Sequence, residues 1–435
     1  MLKNKILFPA LIAVSLIFSS CLGNNSADLS DDANVISFSL KTGTSETFPT
    51  TTFTIDTINL IIYNVDSIKF LTRIDSLVPV IGTNTASSIK INDTITYSTT
   101  TLDTLDFSDT VRITVTSQDK KNTKTFKVVL NVHQADPDLY VWDPLEDEIY
   151  SENTVQQKLF FFENSLNLFV KTNSGVKLFY SENCDTVWNT KSTTNFPNTF
   201  DIKYTVLLDN KLYIAENQQL YTSENGTNWT SETTTGSVNH LLFAMNGQVF
   251  GIDNSTLTLK KLNGTIWENV TTLPSKFPVE GAGICVANST AGNERVYVVG
   301  GKDSNGNLLN SVFSSENGSY WANLASKNWF SPREEISVVQ YDDVLMLIGG
   351  KDTNGVIIND EENKFFIISP DFGISWRAPY DNMSLPLDFV ARFALQTAVN
   401  DDKTIIYLVG GQTDMEFLKD AWQGMKNSLL WQSLK

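Results

Sequence analysis

Charged residues stand directly before short apolar segments at three places in the second half of the sequence. They are Glu280 before residues 283–287, Arg333, Glu334 and Glu335 before 336–340, and Arg392 before 393–397. Guanidinium and carboxylate groups side by side can hold a sugar or an acidic peptide through charge-assisted hydrogen bonds. We therefore predict that these five residues bind a ligand. The alternative is that they are solvated charges or pair with one another.

Metal and redox chemistry have few candidate residues in this sequence. It contains two histidines, His133 and His240, and three cysteines. A copper or zinc site needs several such ligands near one point, so no metal and no cofactor is predicted. His240 lies in the apolar segment 238–245 and is predicted to be a packed strand residue rather than a catalytic base.

The segment 303–307 (DSNGN) is spaced like the start of a calcium loop. Its ligands would be Asp303, Asn305 and Asn307, but the twelfth position is Ser314 instead of the usual glutamate. Asn-Gly turns between strands need no metal. We therefore predict a plain hairpin here.

A short motif recurs through the C-terminal two-thirds of the chain and indicates the elements that carry the charged residues. The full copy is SPDFGISW at 369–376, and partial copies occur at 181–188, 223–229, 262–267 and 315–321. In such a motif Asp or Asn accepts backbone N–H bonds, the glycine tolerates positive φ, and the tryptophan returns to the core. Each copy is predicted to be the turn of a β-hairpin.

The tryptophans of these copies give the period of the repeat. Trp188, Trp229, Trp267, Trp321, Trp376 and Trp431 are separated by 41, 38, 54, 55 and 55 residues. Repeats of about 50 residues are typical of propellers, in which each repeat is a blade of four antiparallel strands. The pattern predicts a six-bladed β-propeller over residues 138–435.

Two features of the repeat resemble known propeller families. Ser369, Asp371, Gly373 and Trp376 match the Asp-box of sialidases and other propellers, S-x-D-x-G-x-x-W, which in those proteins is a structural turn away from the active site. Segments 296–301, 345–350 and 405–411 end in paired glycines and resemble the kelch repeat. In kelch-like blades the residues before the innermost strand face the channel mouth, which would place the predicted ligand-binding set there.

A sialidase would need three arginines around one carboxylate. The predicted propeller contains Arg295, Arg333, Arg377 and Arg392, and its first three blades contain none. A sialidase is therefore not predicted.

The N-terminus is typical of an exported protein. Lys3 and Lys5 precede an apolar run at 6–18, which is too short to span a bilayer and is followed by Ser19, Ser20 and Cys21. Small residues before a cysteine resemble a lipobox, so residues 1–21 are predicted to be a lipoprotein signal with Cys21 lipidated. The alternative is an ordinary signal cleaved nearby. Residues 22–34 are predicted to be a flexible tether.

Residues 35–135 form a first folded unit of strands. Val111, Ile113 and Val115 alternate with polar residues, which puts one strand face in a core. About a hundred residues of such strands predict an Ig-like β-sandwich, so the chain as a whole is all-β. The formal net charge of 32 − 49 = −17, with no basic stripe, argues against nucleic acid as a partner.

Segments 62–80 and 132–142 resemble a family of Bacteroidetes-type lipoproteins of unknown function. The resemblance implies an outer-membrane or cell-surface lipoprotein, attached to the membrane through Cys21, and no activity. We predict that its propeller binds a glycan or protein ligand without catalysis. The alternatives are a glycan hydrolase or lyase at the channel mouth, with Glu280 and Glu334 or Glu335 as the carboxylate pair, or a structural subunit of a surface complex.

Overall fold

The computed structural model describes residues 28–42, 51–100, 104–136, 138–288, 292–325, 329–359 and 364–427. The predicted signal with Cys21, the first part of the tether, and Trp431 lie outside these residues. The chain divides into two compact units, Met1–Asp136 and Pro137–Lys435. Of the helices in the described part of the chain, none is long and apolar enough to cross a bilayer.

The first unit consists of two sheets. Its strands are β1 (Val35–Thr42), β2 (Phe53–Asp56), β3 (Ile61–Asn64), β4 (Leu77–Thr83), β5 (Ala86–Ile91), β6 (Ile95–Thr96), β7 (Val111–Ser117) and β8 (Thr123–Val129). One sheet pairs β1 with β4, and the other has the order β2-β3-β8-β7-β5-β6.

The two sheets of the first unit share one apolar core. Phe38 and Leu40 of β1 and Ile81 of β4 are buried in the same cluster as Ile113 of β7 and Phe126 of β8. The predicted alternation of β7 is present, since its odd-numbered residues are buried and Arg112 is exposed. Alternation of this kind keeps the polar side chains in water while one face of the sheet packs.

The second unit contains strands β9 (Tyr140–Glu146), β10 (Gln156–Phe162), β11 (Ser165–Thr172), β12 (Gly175–Ser181), β13 (Asn189–Ser192), β14 (Val206–Leu208), β15 (Lys211–Ser223), β16 (Thr230–Val238), β17 (His240–Met245), β18 (Gln248–Asp253), β19 (Thr258–Asn263), β20 (Ile266–Thr272), β21 (Gly283–Asn288), β22 (Glu294–Val299), β23 (Val312–Ser315), β24 (Ala322–Asn323), β25 (Ser337–Tyr341), β26 (Val344–Ile348), β27 (Phe366–Ser369), β28 (Gln396–Val399), β29 (Ile405–Val409) and β30 (Ala421–Lys426). Two 3₁₀ helices, η1 (Ile202–Tyr204) and η2 (Asp381–Met383), occur in the connections.

These strands form antiparallel sheets that follow one another along the chain. Their orders are β10-β11-β12-β13, β14-β15-β16-β20-β19-β18-β17, β21-β22-β23-β24, β25-β26-β27 and β28-β29-β30-β9. The long sheet is two groups, β14-β15-β16 and β17 to β20, joined by the single parallel pair Thr235 and Ile266. The first strand of each group contacts the first strand of the next, from β14 through β17, β21, β25 and β28 to β10.

The ring closes through the strand that begins the unit. β9 pairs antiparallel with β30, so the last sheet takes its outer strand from the start of the unit rather than from the end of the chain. The step between β10 and β14 is filled by η1, which contacts β10 and β17. Pairing of the two ends of a ring removes an open sheet edge, which would otherwise expose unpaired backbone groups.

The turn at 369–376 shows why its residue types recur. Ser369 Oγ accepts a hydrogen bond from the Gly373 N–H at 2.7 Å and donates one to Asp371 Oδ1 at 2.9 Å. Asp371 Oδ1 accepts another from the Ser375 N–H at 2.8 Å. Gly373 has φ +94°, and Trp376 is buried against Phe330. Each of these four motif residues therefore serves the turn or the core beneath it.

Candidate functional site at the central cavity

The six strands β10, β14, β17, β21, β25 and β28 of the described ring line a central cavity of about 610 Å³. Its wall mixes apolar residues, such as Phe160 and Leu242, with polar and charged ones, such as Lys158 and Gln396. Two hydroxyl groups of the wall face each other, with Ser337 Oγ and Thr397 Oγ1 2.8 Å apart. A cavity of this size is typical of small-molecule sites.

Arg333 does not face this cavity. Its side chain is 0% exposed, and the guanidinium donates hydrogen bonds to the backbone carbonyls of Lys364 (2.9 Å), Ser331 (3.3 Å) and Gly349 (3.4 Å). The carbonyl of Gly349 belongs to the first residue of the glycine pair 349–350. Arg333 therefore satisfies backbone groups where strands crowd, which is a structural role.

Arg392 has the same role one blade further on. It is 1% exposed and donates to the carbonyls of Val390 (2.8 Å) and Gly410 (2.9 Å). It also pairs with Asp420 at 2.6 Å and lies 4.3 Å from the ring of Phe389. Burial takes both arginines out of reach of a ligand, which corrects the sequence-based prediction for Arg333 and Arg392.

The predicted glutamates do meet at one end of the cavity, but with lysines as their partners. Lys203 Nζ lies 3.3 Å from Glu335 Oε1 and 3.7 Å from Glu280 Oε1. Lys302 Nζ lies 2.7 Å from Glu334 Oε2. Although burial lowers it, the pKa of Lys203 is raised above its usual value by the neighbouring glutamates, above all Glu335. The mouth is thus a network of ion pairs.

Glu335 occupies an unusual backbone position in this network. Its φ is +52°, and the residue before the next innermost strand, Ala394, has φ +51°. The Glu335 N–H donates to the Gly281 carbonyl at 2.8 Å, and the Ala394 N–H donates to the Glu335 carbonyl at 2.8 Å. Non-glycine residues rarely adopt such values unless neighbouring structure holds them there. This chain of backbone bonds links three consecutive blades and fixes the mouth.

Sequence reasoning missed Lys158, which lines the cavity from β10. The side chain is partly exposed, and in the described part of the chain its ammonium pairs with no carboxylate. Its Nζ lies 5.5 Å from the centroid of the Phe160 ring. Burial lowers the pKa of Lys158 to about 8. A lysine two positions before the run of three phenylalanines, on the same strand face as Phe160, was the available sequence signal.

Tyr204 and His240 form another part of the wall that the sequence did not single out as a pair. Their rings stack with centroids 3.8 Å apart, and both line the central cavity and a smaller one of about 280 Å³. His240 is 6% exposed, and its Nε2 has no hydrogen-bond partner among the described residues. Burial, helped by Lys203, lowers the pKa of His240 to about 4. It is therefore a neutral, packed strand residue, as predicted.

The segment 303–307, which is spaced like the start of a calcium loop, forms a turn. Asp303 Oδ1 accepts hydrogen bonds from the N–H groups of Asn305 and Asn307, both at 2.9 Å. The Asp303 carboxylate therefore stabilises the backbone of the turn in which it lies. Across the ranges that the structure describes, no cluster of three or more His, Cys, Asp or Glu side chains could hold a metal ion.

The glutamates at the mouth are the carboxylates that a glycan-active enzyme would use here, and Lys203 separates two of them. Glu280 and Glu335 are both held by the one Lys203 ammonium. A glycoside hydrolase keeps the space between its two carboxylates open for the sugar and water. In the structure, the Lys203 ammonium lies between Glu280 and Glu335.

Comparison with known proteins places both units in one family. The DUF6242 beta propeller domain matches residues 136–434, and the domain of unknown function (DUF6242) N-terminal domain matches residues 27–130. A solved structure titled "Structure of YjhT" has a TM-score of 0.47 and 13% identity, covering 63% of this chain and 96% of that chain. The search of curated proteins found no match. The predicted family of unknown function with a propeller is thereby confirmed: the chain belongs to the DUF6242 family, and its C-terminal domain is a β-propeller.

Proposed function

We propose that this protein is a lipoprotein of the outer membrane or cell surface, whose propeller binds a small glycan in its central cavity without catalysis. The observation that carries the binding role is the cavity itself, about 610 Å³ with both apolar and polar side chains on its wall. Sugar rings present apolar faces and hydroxyl edges, and such a wall suits both. A protein ligand is the second outcome that the experiment below distinguishes.

In the proposed architecture, the other parts of the chain hold the propeller and its cavity away from the membrane. Lipid on Cys21 anchors the chain, the residues that follow it act as a tether, and the first unit is an Ig-like sandwich that acts as a spacer. The tether predicted for residues 22–34 is shortened at its end, because Ser30 is hydrogen-bonded to the first unit and Ala33 is buried in its core. Two sheets around one core support the sandwich. Six cavity-lining strands in the described ring support six blades. No nucleic-acid partner is proposed, because the chain is acidic.

The anchor is tested by changing the predicted lipidation site. Cys21→Ser should move the protein from the membrane fraction to the soluble fraction of the expressing cells and abolish incorporation of labelled fatty acid. Unchanged membrane association would refute lipidation at Cys21.

The binding site is tested by filling the cavity. Ala244 lines the cavity and Ala322 is exposed in the outer strand β24, so Ala244→Phe and Ala322→Phe add the same ring inside and outside. A glycan array followed by titration should find a sugar that binds wild type and Ala322→Phe but not Ala244→Phe. If wild type and both variants bind a sugar equally, that sugar binds outside the cavity, and the cavity is refuted as its site. Binding of no sugar by the wild type would transfer the proposal to a protein ligand, sought by pull-down from an outer-membrane fraction.

A further inference from the structure

Lys158 differs from Lys203 and Lys302 at the mouth of the cavity in having no anionic partner among the described residues. The remaining lysine of the cavity wall, Lys403, is exposed to bulk water. Lys203 is shared by Glu280 and Glu335, and Lys302 pairs with Glu334. Lys158 pairs with no carboxylate in the described residues, and its Nζ lies 5.5 Å from the centroid of the Phe160 ring. The side chain nevertheless lies on the cavity wall and is partly exposed to it.

An unpaired ammonium in this position does not help the fold. Taking a charge out of bulk water is costly unless a partner compensates it. The single cation–π contact at 5.5 Å is at the long end of the favourable range and supplies only a small part of that compensation. An apolar residue would suit the wall beside Phe160 better. The missing partner is therefore a group that enters the cavity.

We propose that Lys158 binds the carboxylate of an acidic sugar, a hexuronic acid, held in the central cavity. This inference rests on the proposed glycan-binding function and specifies its ligand class. The ammonium would pair with the carboxylate, the hydroxyl groups of Ser337 and Thr397 would offer hydrogen bonds to sugar hydroxyls, and Phe160 would contact the ring.

The charge at the mouth favours a single carboxylate over a polyanion. Three glutamates, Glu280, Glu334 and Glu335, pair with two lysines, Lys203 and Lys302, and Lys158 brings the sum of these charges to 3 − 3 = 0. An acidic peptide or a sulfated chain would place several negative charges near the three glutamates, which would repel them. A monosaccharide with one carboxylate meets little of this repulsion and gains the pairing with Lys158.

The test compares charged and neutral sugars on the mature chain. D-Glucuronate and D-galacturonate are titrated by calorimetry at pH 7 beside D-glucose and D-galactose. Wild type should bind one of the uronates at least about tenfold more tightly than its neutral counterpart, since a charge-assisted bond is stronger than a neutral one. Lys158→Met should remove that preference without weakening the neutral sugar.

A matched control is Lys191→Met. Lys191 is exposed in β13 and also lies over an aromatic ring, with Nζ 3.9 Å from the centroid of Tyr180. It should leave uronate binding unchanged. A measurement on unmutated protein covers the case in which Lys158→Met fails to fold: uronate should protect Lys158, and not Lys191, from an amine-reactive reagent read by mass spectrometry.

The outcomes separate this inference from the function on which it rests. Equal binding of neutral and acidic sugars, with no protection of Lys158, would overturn the inference and leave glycan binding intact. If acetate competes as tightly as the uronate binds, the site recognises an anion and not a sugar. That result would also overturn the inference. Failure of every sugar, neutral or acidic, to bind wild type would refute the proposed function together with the inference.

Discussion

Arg392 should be one of the most costly residues of the propeller to replace, because its buried guanidinium is fully used inside the fold. Replacing it by methionine keeps much of the side-chain volume and removes the guanidinium. Three bonds are lost: those to the carbonyls of Val390 and Gly410 and the 2.6 Å ion pair with Asp420. The carbonyls and the carboxylate remain in place without this partner.

The magnitude follows from the burial of each group. Breaking a buried ion pair costs about 3–5 kcal/mol, and the lower end applies because the Asp420 side chain keeps 20% of its surface in water. The buried Gly410 carbonyl adds about 1 kcal/mol when it loses its donor, and the part-buried Val390 carbonyl adds less. The expected loss is about 4–5 kcal/mol, which is a large part of the stability of an ordinary domain.

The assay is urea unfolding followed by tryptophan fluorescence. All nine tryptophans lie at or after Trp142, so this signal reports on the propeller and not on the first unit. The control is Arg377→Met, because Arg377 is exposed and should cost less than about 0.5 kcal/mol. A loss below about 1 kcal/mol for Arg392→Met, or equal losses for the two variants, would refute the structural role of Arg392.

Three further predictions concern stability in the same assay. Lys158→Met should stabilise the protein by about 1–2 kcal/mol at pH 7, because it removes an ammonium whose charge is costly to bury. The lowered pKa of Lys158 by itself corresponds to a larger energy, which is reduced here because the side chain is partly exposed to solvent in the cavity. Because the folded-state pKa is lowered to about 8, this gain should fade as pH rises from about 8 towards the unfolded value of about 10.4; a gain that does not change with pH would contradict it. Gly350→Ala should cost several times the ~1 kcal/mol of Gly355→Ala, since both have positive φ but only Gly350 faces atoms within 3.0 Å of the added Cβ; equal costs would show that crowding is unimportant. Ser369→Ala should cost about 1–2 kcal/mol by removing the acceptor of the Gly373 N–H, and no change would mean that the turn holds without it.

The all-β class and the propeller could be predicted because their signals are local and repeat. The turn at 369–376 needs a hydroxyl, a carboxylate, a glycine and a tryptophan within eight residues, and the hydrogen bonds it forms join residues two to four positions apart. Such contacts depend little on the rest of the chain, so their spacing is legible in the sequence. The alternation of β7 is legible for the same reason.

The closure of the ring could not be predicted from the sequence. β9 and β30 pair across more than 270 residues, with Tyr140 opposite Lys426. Neither strand differs in composition from its neighbours. The sequence suggested that a last eroded repeat ended at Trp431, whereas the final sheet takes its outer strand from β9. Only the return of the chain to its starting point brings these two strands together.

The candidate site also has features that the sequence could predict and features that depend on tertiary packing. The sequence by itself determined which segments precede the innermost strands, and so it found Glu280, Glu334 and Glu335 at the mouth. It could not decide which way a side chain turns there: Arg333 and Arg392 enter the packing beneath the glycine pairs, where carbonyls need donors. Lys203 is 132 residues from its partner Glu335, and Lys158 faces the cavity because the ring closes around it. Side-chain direction and long-range pairing depend on tertiary packing, and these decided which charges remain free to meet a ligand.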